Sequence, residues 1–344
     1  MERYECQLPL QGFGKKGQEK LKNAKVLIIG MGGFGCPVSQ YLVSSGIGTI
    51  GICDFDKVSL RNLHRQILYE EKDIGRKKVN AAKKRLEKQN SEIKIITYPY
   101  MLTPQNVLKT ICEYDIVVDC TDNFDTKYLL NDACVILKKP LVYGSIIQYE
   151  GQVSVFNFKN ADGSYSPNYK DIFPDANSTS ILNCEEGGVI PTIAGIIGSI
   201  QANEVIKYIS GVGSLLSSKL FIFDARQMSS FTIDLPAVTK AKIDALDERK
   251  VPQITANELK KSFNQNFYKL VDVRTREEHD KFNIGGENIP LDKLLSQASS
   301  LKFKKPTVFY CRWGRRSGEA VKFILQNDPK AQIMSLNGGI KDWR

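Results

Sequence analysis

Four glycines within six residues form the strongest chemical signal in this chain. They are Gly30, Gly32, Gly33 and Gly35. The segment follows a short apolar run and precedes a helical pattern, and in that context glycines let the backbone approach a phosphate while the helix N-terminus offers N–H donors. Asp54 lies 24 residues after Gly30, where a carboxylate can accept hydrogen bonds from ribose hydroxyls. These features alone favour an NAD-dependent dehydrogenase and an ATP-using enzyme about equally.

The side chains that follow Asp54 favour ATP. They are Asp56, Arg61, Asn62, Arg65 and Gln66. A dehydrogenase does not need two arginines at this point, whereas guanidinium groups bind triphosphate oxygens in bidentate fashion. Lys78, on the next predicted helix, adds a point charge. Asp122 and Asn123 follow the fourth predicted strand at the same edge of the sheet, and an aspartate there could hold Mg²⁺.

A cysteine near the end of the sequence lies in a loop of a different kind. Residues 311–317 read Cys-Arg-Trp-Gly-Arg-Arg-Ser and join a predicted strand to a predicted helix. Three guanidinium groups and a helix N-terminus would favour the thiolate, which is the nucleophilic form. Backbone N–H groups in such a loop can surround a sulfur anion. Cys311 is therefore a predicted nucleophile, although a phosphatase loop of similar length has the same pattern.

Strands that alternate with helices position these residues, and this order predicts a doubly wound, Rossmann-like, mostly parallel sheet. The predicted strands of the first domain are 26–29, 49–54, 93–98, 115–119, 141–143, 152–158 and 219–223, and the predicted helices are 37–45, 76–89, 124–137 and 191–209. Residues 159–183 show little periodicity, which predicts a long surface loop.

The chain becomes polar and charged near Pro236, which predicts a linker at 237–250. We therefore expect a first domain at 1–236 and a smaller α/β domain at 251–344. In the second domain, the patterns predict strands at 268–272 and 307–310 and a helix at 317–326.

Composition excludes several classes of protein. With 42% hydrophobic and 25% charged residues, the 344-residue chain is typical of globular proteins. No apolar run approaches the roughly 20 residues of a membrane helix, and we expect a cytoplasmic protein with no membrane partner. The net charge of +10 is spread over many segments, so we favour an acidic protein or a polyphosphate as partner over nucleic acid. No two of the eight cysteines have C-x-x-C spacing, so zinc and disulfides are not expected.

Residues 1–235 resemble the MoeB/ThiF family, relatives of the ubiquitin-activating enzymes. The motifs that carry the resemblance are Gly-Met-Gly-Gly-Phe-Gly, Cys-Asp-Phe-Asp, Arg-Asn-Leu-His-Arg-Gln, Asp-Cys-Thr-Asp-Asn and Cys-Glu-Glu-Gly-Gly. The resemblance implies a homodimer that uses ATP and Mg²⁺ to adenylate the C-terminal glycine of a small ubiquitin-like sulfur carrier. The ATP residues that it implies are Gly33, Asp54, Asp56, Asn62, Arg65, Gln66, Lys78 and Asp122. Among these, Arg65 and Lys78 would steady the phosphates and Asp122 the metal.

The sequence departs from this family at three places. Cys6 replaces an arginine that, in most members, reaches the ATP of the neighbouring subunit, and His64 replaces a common glutamine. Residues 168–174 contain no cysteine, whereas many members have a zinc-binding C-x-x-C pair there, so the resemblance also implies no zinc. Cys184 matches a family cysteine that can bind the carrier covalently; alternatively, it packs as a small apolar residue.

Residues 251–344 resemble the rhodanese family. The resemblance is carried by Leu-Val-Asp-Val-Arg at 270–274, by the Cys311 loop and by Leu-Asn-Gly-Gly-Ile at 336–340. It implies that Cys311 carries a persulfide and that Arg316 closes the loop and contacts the anionic sulfur donor. It also implies that Asp272 and Arg274 are structural and tie the first strand to the loop.

The two resemblances together imply one reaction sequence, in which a carrier ending in Gly-Gly is adenylated and then receives sulfur from Cys311. The sulfur would come from a cysteine desulfurase or thiosulfate, and the product would serve molybdopterin, thiamine or tRNA-thiolation pathways. Two alternatives stay open at this point. One is an NAD-dependent oxidoreductase; the other is a degenerate scaffold that binds the carrier without adenylating it, which Cys6 and the absent cysteines at 168–174 would favour.

Overall fold

The chain forms two compact units, at residues 1–247 and 248–344. The structure, a computed structural model, describes residues 2–174, 188–246, 251–262, 267–297, 303, 305–340 and 343. Within these residues, no helix combines the length and the apolar character needed to cross a membrane.

An eight-stranded sheet forms the centre of the first unit. Its strands are β1 (Lys25–Ile29), β2 (Thr49–Cys53), β3 (Lys94–Tyr98), β4 (Ile116–Asp119), β5 (Leu141–Ile147), β6 (Glu150–Phe156), β7 (Lys219–Asp224) and β8 (Ser229–Asp234). Their order is β3-β2-β1-β4-β5-β6-β7-β8. Neighbours from β3 to β5 are parallel, and those from β5 to β8 are antiparallel. The strand order reverses between β1 and β4, and ligands of such sheets bind at the carboxyl ends of the strands beside this point.

Helices of the first unit cover this sheet. They are α1 (Gly14–Asn23), α2 (Gly35–Ser45), α3 (Lys78–Gln89), α4 (Val107–Ile111), α5 (Phe124–Ile136), α6 (Tyr169–Ile172) and α7 (Pro191–Ser210). The four apolar residues of β1 are buried, which is typical of a parallel strand covered on both faces. Helix α7 packs closely on α2, since a Cβ on Gly198 would lie 2.6 Å from the ring of Pro37. Small residues in α7 therefore bring α2 and its glycine turn close to the sheet.

The prediction of a surface loop at 159–183 is wrong for residues 166–172, whereas residues 159–165 are exposed or half-buried turns. Asn168 is fully buried and Tyr169 is 2% exposed. The Tyr169 N–H donates to the Asn131 side chain at 2.7 Å, and its ring lies 5.4 Å from that of Tyr143. The contact of the Tyr169 ring with Tyr143 and the hydrogen bond to Asn131 hold this segment against β5 and α5. Residues 175–183 lie outside the described residues.

The start of the predicted linker at 237–250 is also held to the first unit. Asp171 Oδ2 accepts a hydrogen bond from the Thr239 hydroxyl at 2.6 Å, and Asp171 Oδ1 accepts from the backbone N–H groups of Lys240 and Ala241. Leu246 packs against the core formed with β5 and β6. The polar composition of this segment therefore reflects hydrogen bonds to Asp171 and not a free chain.

The second unit is a smaller, wholly parallel α/β sheet. Its strands are β9 (Gln253–Ile254), β10 (Lys269–Asp272), β11 (Glu287–Asn288), β12 (Thr307–Tyr310) and β13 (Ile333–Leu336), in the order β11-β10-β12-β13-β9. Its helices are α8 (Ala256–Ser262), α9 (Arg276–Lys281), α10 (Leu291–Gln297) and α11 (Arg315–Asn327). Cys311 follows the central strand β12 and precedes α11, as the sequence predicted.

Candidate functional site

Glycines shape the turn from β1 to α2 for two different reasons. Gly30 has a φ of +92°, and a Cβ there would lie 2.6 Å from the Cys120 carbonyl oxygen. A Cβ on Gly35 would lie 2.0 Å from the Gly30 carbonyl oxygen. These two glycines are required by the backbone of the turn itself. Gly32 and Gly33 instead line the floor of a cleft and add no side chain to it. A Cβ on Gly32 would lie 3.7 Å from the Gln66 side chain, and a Cβ on Gly33 would lie 3.2 Å from Ala194 Cβ and 3.7 Å from the Arg65 side chain.

The cleft lies at the carboxyl ends of the strands beside the reversal point. Ten of the predicted nucleotide residues line it: Gly30, Gly32, Gly33, Asp54, Asp56, Arg65, Gln66, Lys78, Asp122 and Asn123. Three predicted residues do not line it, namely Gly35, Arg61 and Asn62. Asn62 is buried, and its side-chain oxygen accepts from the Ser59 hydroxyl at 2.7 Å, so it stabilises the turn that precedes Arg65. Arg61 is exposed on the surface.

Asp54 is fixed by the glycine turn that it faces. Its two carboxylate oxygens accept hydrogen bonds from the backbone N–H groups of Met31 and Asp56, each at 2.8 Å. Burial raises the pKa of the Asp54 carboxyl, while Lys78 and the two backbone amides lower it. The carboxylate therefore orients the turn, and its remaining lone pairs are available to ribose hydroxyls.

Lys78 is a buried cation at the start of α3. Its side chain is 6% exposed, and its Nζ lies 3.0 Å from Asp56 and 4.0 Å from Asp54. Its backbone N–H donates to the Asp56 carbonyl oxygen at 3.0 Å, which fixes the start of the helix. The ammonium group therefore lies in the cleft with little freedom, where it could neutralise a phosphate.

Arg65 and Gln66 line the cleft beside Gly33 and Gly32. Arg65 Nη1 lies 2.7 Å from His64 Nε2, and burial together with Arg65 lowers the pKa of His64. A neutral imidazole can accept from the guanidinium group, so His64 orients Arg65. Gln66 is 3% exposed, and its Oε1 has no hydrogen-bond partner among the residues that the structure describes. A buried acceptor of this kind needs a donor, and a ligand in the cleft could supply one.

The turn after β4 brings Asp122 and Asn123 to the cleft. The Asn123 side chain accepts from the Thr126 N–H at 2.9 Å and caps α5, so its oxygen already has a structural partner. Asp122 is exposed at the edge of the cleft. Within the described ranges, no cluster of three His, Cys, Asp or Glu side chains could hold a metal ion by itself. A Mg²⁺ ion can nonetheless be bound by one carboxylate together with substrate phosphates and water.

Sequence reasoning missed part of the cleft wall. Tyr100, Met101 and Leu102 line it, and they follow β3 at the same edge of the sheet as Asp54. The position of β3 beside β2 could have indicated them, since parallel strands end at one edge. The missed residues also include Thr121 and, behind the cleft, a buried pair formed by Asp119 and Lys127.

Several thiols lie close to this cleft but are buried. Cys53 and Cys120 line it, and they are 2% and 6% exposed. Burial raises the pKa of Cys53 to about 12 and that of Cys120 well above its ordinary value. Cys6, which replaces the family arginine, is exposed. Cys184 lies outside the described residues, so its predicted covalent role stays a prediction.

The second candidate site surrounds Cys311, which is 2% exposed. Its Sγ accepts from the Gly314 N–H at 3.2 Å and from the Ser317 hydroxyl at 3.6 Å. Gly314 has a φ of +88°, which turns its N–H toward the sulfur, and a Cβ on Gly339 would lie 2.5 Å from the Cys311 carbonyl oxygen. The loop therefore gives the sulfur one backbone N–H donor, of the kind that the sequence predicted, and a hydroxyl donor that the sequence analysis did not name.

The arginines of this loop have partners that the sequence did not indicate. Arg316 donates two hydrogen bonds to Glu278, at 2.6 and 2.7 Å, so it ties α11 to α9. The Arg312 guanidinium lies 5.5 Å from the ring centroid of Trp313. Glu278 and Trp313 therefore hold Arg316 and Arg312. That the guanidinium groups favour the thiolate, and that Arg316 contacts the sulfur donor, stays a prediction. The Arg315 side chain lies outside what the structure describes.

Asp272 and Arg274 form a buried ion pair, with two parallel hydrogen bonds of 2.9 and 2.6 Å. Arg274 also donates to the Phe282 carbonyl oxygen, and His279 Nδ1 lies 2.9 Å from Asp272. The pair is structural, as expected, but it ties β10 to α9 and not directly to the cysteine loop.

Comparisons with known proteins identify the families of both domains. A model of the ThiF family matches residues 4–243, and a model of the rhodanese-like domain matches residues 255–344. Adenylyltransferase and sulfurtransferase MOCS3 of Aedes aegypti is 38% identical over 99% of this chain and 86% of the relative. MOCS3-1 of Drosophila pseudoobscura pseudoobscura is 36% identical over 99% of this chain and 82% of the relative.

A solved structure supports the fold. The crystal structure of E. coli MccB is similar to this chain, with a TM-score of 0.59 and 25% sequence identity. The match covers 69% of this chain and 70% of the MccB chain. This likeness confirms the predicted Rossmann-like, mostly parallel sheet. The resemblances inferred from the motifs are confirmed as well: the chain belongs to the ThiF family and carries a rhodanese-like domain after its ThiF domain.

Proposed function

We propose that this protein is an adenylyltransferase and sulfurtransferase that acts on a small ubiquitin-like sulfur carrier. In the first step, the C-terminal carboxylate of the carrier attacks the α-phosphorus of ATP, and pyrophosphate leaves. In the second step, sulfur from Cys311 replaces AMP. The relatives named MOCS3, which match nearly the full chain, carry both activities in their names.

One observation carries the adenylation step: cationic and amide side chains converge on a glycine turn that has an open floor. Lys78 and Arg65 line the cleft together with Gly32 and Gly33. Phosphoryl transfer depends on positioning and charge neutralisation, which these fixed cations would supply. Gln66 Oε1 would gain the donor that it lacks. Asp122 would hold Mg²⁺, which when bound neutralises phosphate charge.

The sulfur step uses the donors around Cys311. The Cys311 thiolate would attack the outer sulfur of a desulfurase persulfide or of thiosulfate, and the S–S bond of the donor would break to release the desulfurase thiolate or sulfite. The Gly314 N–H and Ser317 hydroxyl would stabilise the Cys311 anion. The terminal sulfur then attacks the carbonyl carbon of the acyl adenylate, and AMP leaves with the bonding electrons. The product is an acyl disulfide on Cys311. A thiol attacks Cys311 Sγ and releases the thiocarboxylate, which leaves Cys311 in a disulfide with that thiol.

The setting of this reaction also belongs to the proposal. The carrier would end in Gly-Gly and serve molybdopterin, thiamine or tRNA-thiolation pathways in the cytoplasm. The protein would act as a homodimer, and Cys6 would leave its neighbour's cleft without the usual arginine. The resemblance of the motifs to the MoeB/ThiF family supports these points.

Pyrophosphate exchange into ATP tests the proposed adenylation. Candidate carriers would be added one at a time, and each would be matched by a control carrier that lacks its terminal glycine. We expect exchange with an intact carrier only. Binding of every candidate without exchange would instead favour the degenerate scaffold, and a change in nicotinamide absorbance on turnover would favour the oxidoreductase.

A further inference from the structure

A buried lysine–aspartate pair lies beneath the turn that carries Asp122. Lys127 Nζ donates hydrogen bonds to Asp119 Oδ2 and to the Gly144 carbonyl oxygen, each at 2.8 Å. Lys127 is 5% exposed and Asp119 is 1% exposed, and neither residue lines the cleft. A buried ion pair adds little net stability, since desolvation of the two charges offsets their attraction. Its position behind the cleft therefore points to a role in placing other groups.

The second oxygen of Asp119 holds the turn. Asp119 Oδ1 accepts from the Thr121 N–H at 2.9 Å and from the Thr121 hydroxyl at 2.6 Å. The main-chain oxygen of Asp119 accepts from Gln201 Nε2 at 2.8 Å, and Gln201 is fully buried. Because Lys127 fixes one oxygen of the carboxylate, it also fixes the direction of the other, and thereby the course of the chain through Thr121 to Asp122.

We propose that Lys127 is a positioning residue for adenylation, which orients Asp119 so that the 119–122 turn presents Asp122 to the cleft. The inference rests on the proposed function, in which Asp122 would hold Mg²⁺. Lys127 is held on three sides, by Asp119, by Gly144 and by the Tyr143 ring, whose centroid is 4.9 Å from Nζ. A cation held in this way keeps the turn in one conformation before ATP arrives, so no binding energy is spent on ordering it.

Lys127→Met tests this role, because it keeps a long side chain and removes the charge. We expect amide hydrogen exchange of the peptide spanning 119–123 to become roughly tenfold faster or more, since the Thr121 amide loses an oriented, charged acceptor. The Mg²⁺–ATP concentration for half-maximal pyrophosphate exchange should rise by a similar factor, with a smaller change in the maximal rate. Lys127→Arg, which restores the cation, should recover both properties.

Lys170→Met is the matched control. Lys170 Nζ donates a hydrogen bond at 2.7 Å to Asp132 Oδ2, and Asp132 lies on α5, as Lys127 does. Lys170 does not line the cleft. This variant should alter neither measurement. If Lys127→Met does not fold, Asp119→Asn, which keeps the oxygen that accepts from Thr121, should give smaller changes in the same directions.

Two results separate the positioning role from the proposed function. Folded Lys127 or Asp119 variants with unchanged amide exchange at 119–123 and unchanged Mg²⁺–ATP dependence would overturn the positioning role. An absence of carrier-dependent pyrophosphate exchange in the wild-type protein would overturn the proposed function, while the amide-exchange comparison would still report on Lys127.

Discussion

Replacement of Lys78 by methionine tests the cleft most directly, because Lys78 pairs with two carboxylates there and is proposed to neutralise a phosphate of ATP. Its two carboxylate partners differ in exposure. The Asp56 side chain, whose carboxylate lies 3.0 Å from Lys78 Nζ, is 51% exposed, whereas the Asp54 side chain, whose carboxylate lies 4.0 Å from Nζ, is 9% exposed. Water can solvate Asp56 again, so the loss of that pair should cost at most about 1 kcal/mol. Asp54 stays buried, and a weakened buried charge costs about 1–3 kcal/mol.

We therefore expect Lys78→Met to lower the free energy of unfolding by about 2–3 kcal/mol. Loss of one preorganised charge donor should also reduce carrier-dependent pyrophosphate exchange by about 10²–10³-fold. Lys78→Met removes the largest of the contributions that lower the pKa of Asp54, so burial, opposed only by the two backbone amides, raises that pKa further. A raised carboxyl pKa means that the folded state binds the proton more tightly, so the variant should regain stability as the pH falls from 7 toward that pKa.

Urea denaturation at several pH values and pyrophosphate exchange measure these effects. Lys83→Met is a matched control on the same helix, since Lys83 pairs with Glu87 on the surface at 3.5 Å. It should change stability by no more than about 0.5 kcal/mol and leave the exchange rate unaltered. In an Asp54→Asn background, the stability cost of Lys78→Met should shrink. An undiminished cost, or a wild-type exchange rate in Lys78→Met, would refute the reasoning.

Three further predictions concern single side chains. Asp122→Ala should abolish carrier-dependent pyrophosphate exchange in a folded protein, because it removes the carboxylate proposed to hold Mg²⁺; normal exchange would exclude that role. Cys311→Ala should leave pyrophosphate exchange near wild type and remove sulfur transfer from thiosulfate, and retained transfer would exclude the persulfide. Glu278→Gln should destabilise the second unit at pH 7. Arg316 lowers the pKa of Glu278, so in urea denaturation the difference from wild type should shrink as the pH falls below 4.5, and a constant difference would argue against the ion pair.

The regular elements could be predicted because their signals are local. Strand β12 has the predicted bounds 307–310, and α2 begins two residues before the predicted 37. The cleft was also largely predictable, since parallel strands end at one edge of a sheet and the residues after β1, β2 and β4 must meet there. Sequence order alone was sufficient to bring Gly30, Asp54 and Asp122 together.

The directions of side chains were not predictable in the same way. Arg61 and Asn62 are close to Arg65 in sequence, yet the helical turn points them away from the cleft. Arg316 binds Glu278, which is 38 residues away, and Tyr169 is buried by contacts to α5 and β5. The direction of such a side chain depends on contacts with segments that are distant in sequence, and these contacts cannot be inferred from residue type and spacing.

The buried thiols beside the cleft have a consequence for the fate of sulfur. Exchange of a persulfide requires a thiolate as the attacking group, and a pKa of about 12 leaves Cys53 with roughly one thiolate in 10⁵ molecules at pH 7. Cys120, whose pKa is also raised, is equally unreactive. An acyl adenylate in this cleft would therefore lie beside two sulfur atoms that neither capture the activated carbonyl nor divert the incoming sulfur, so burial protects the intermediate from these two thiols.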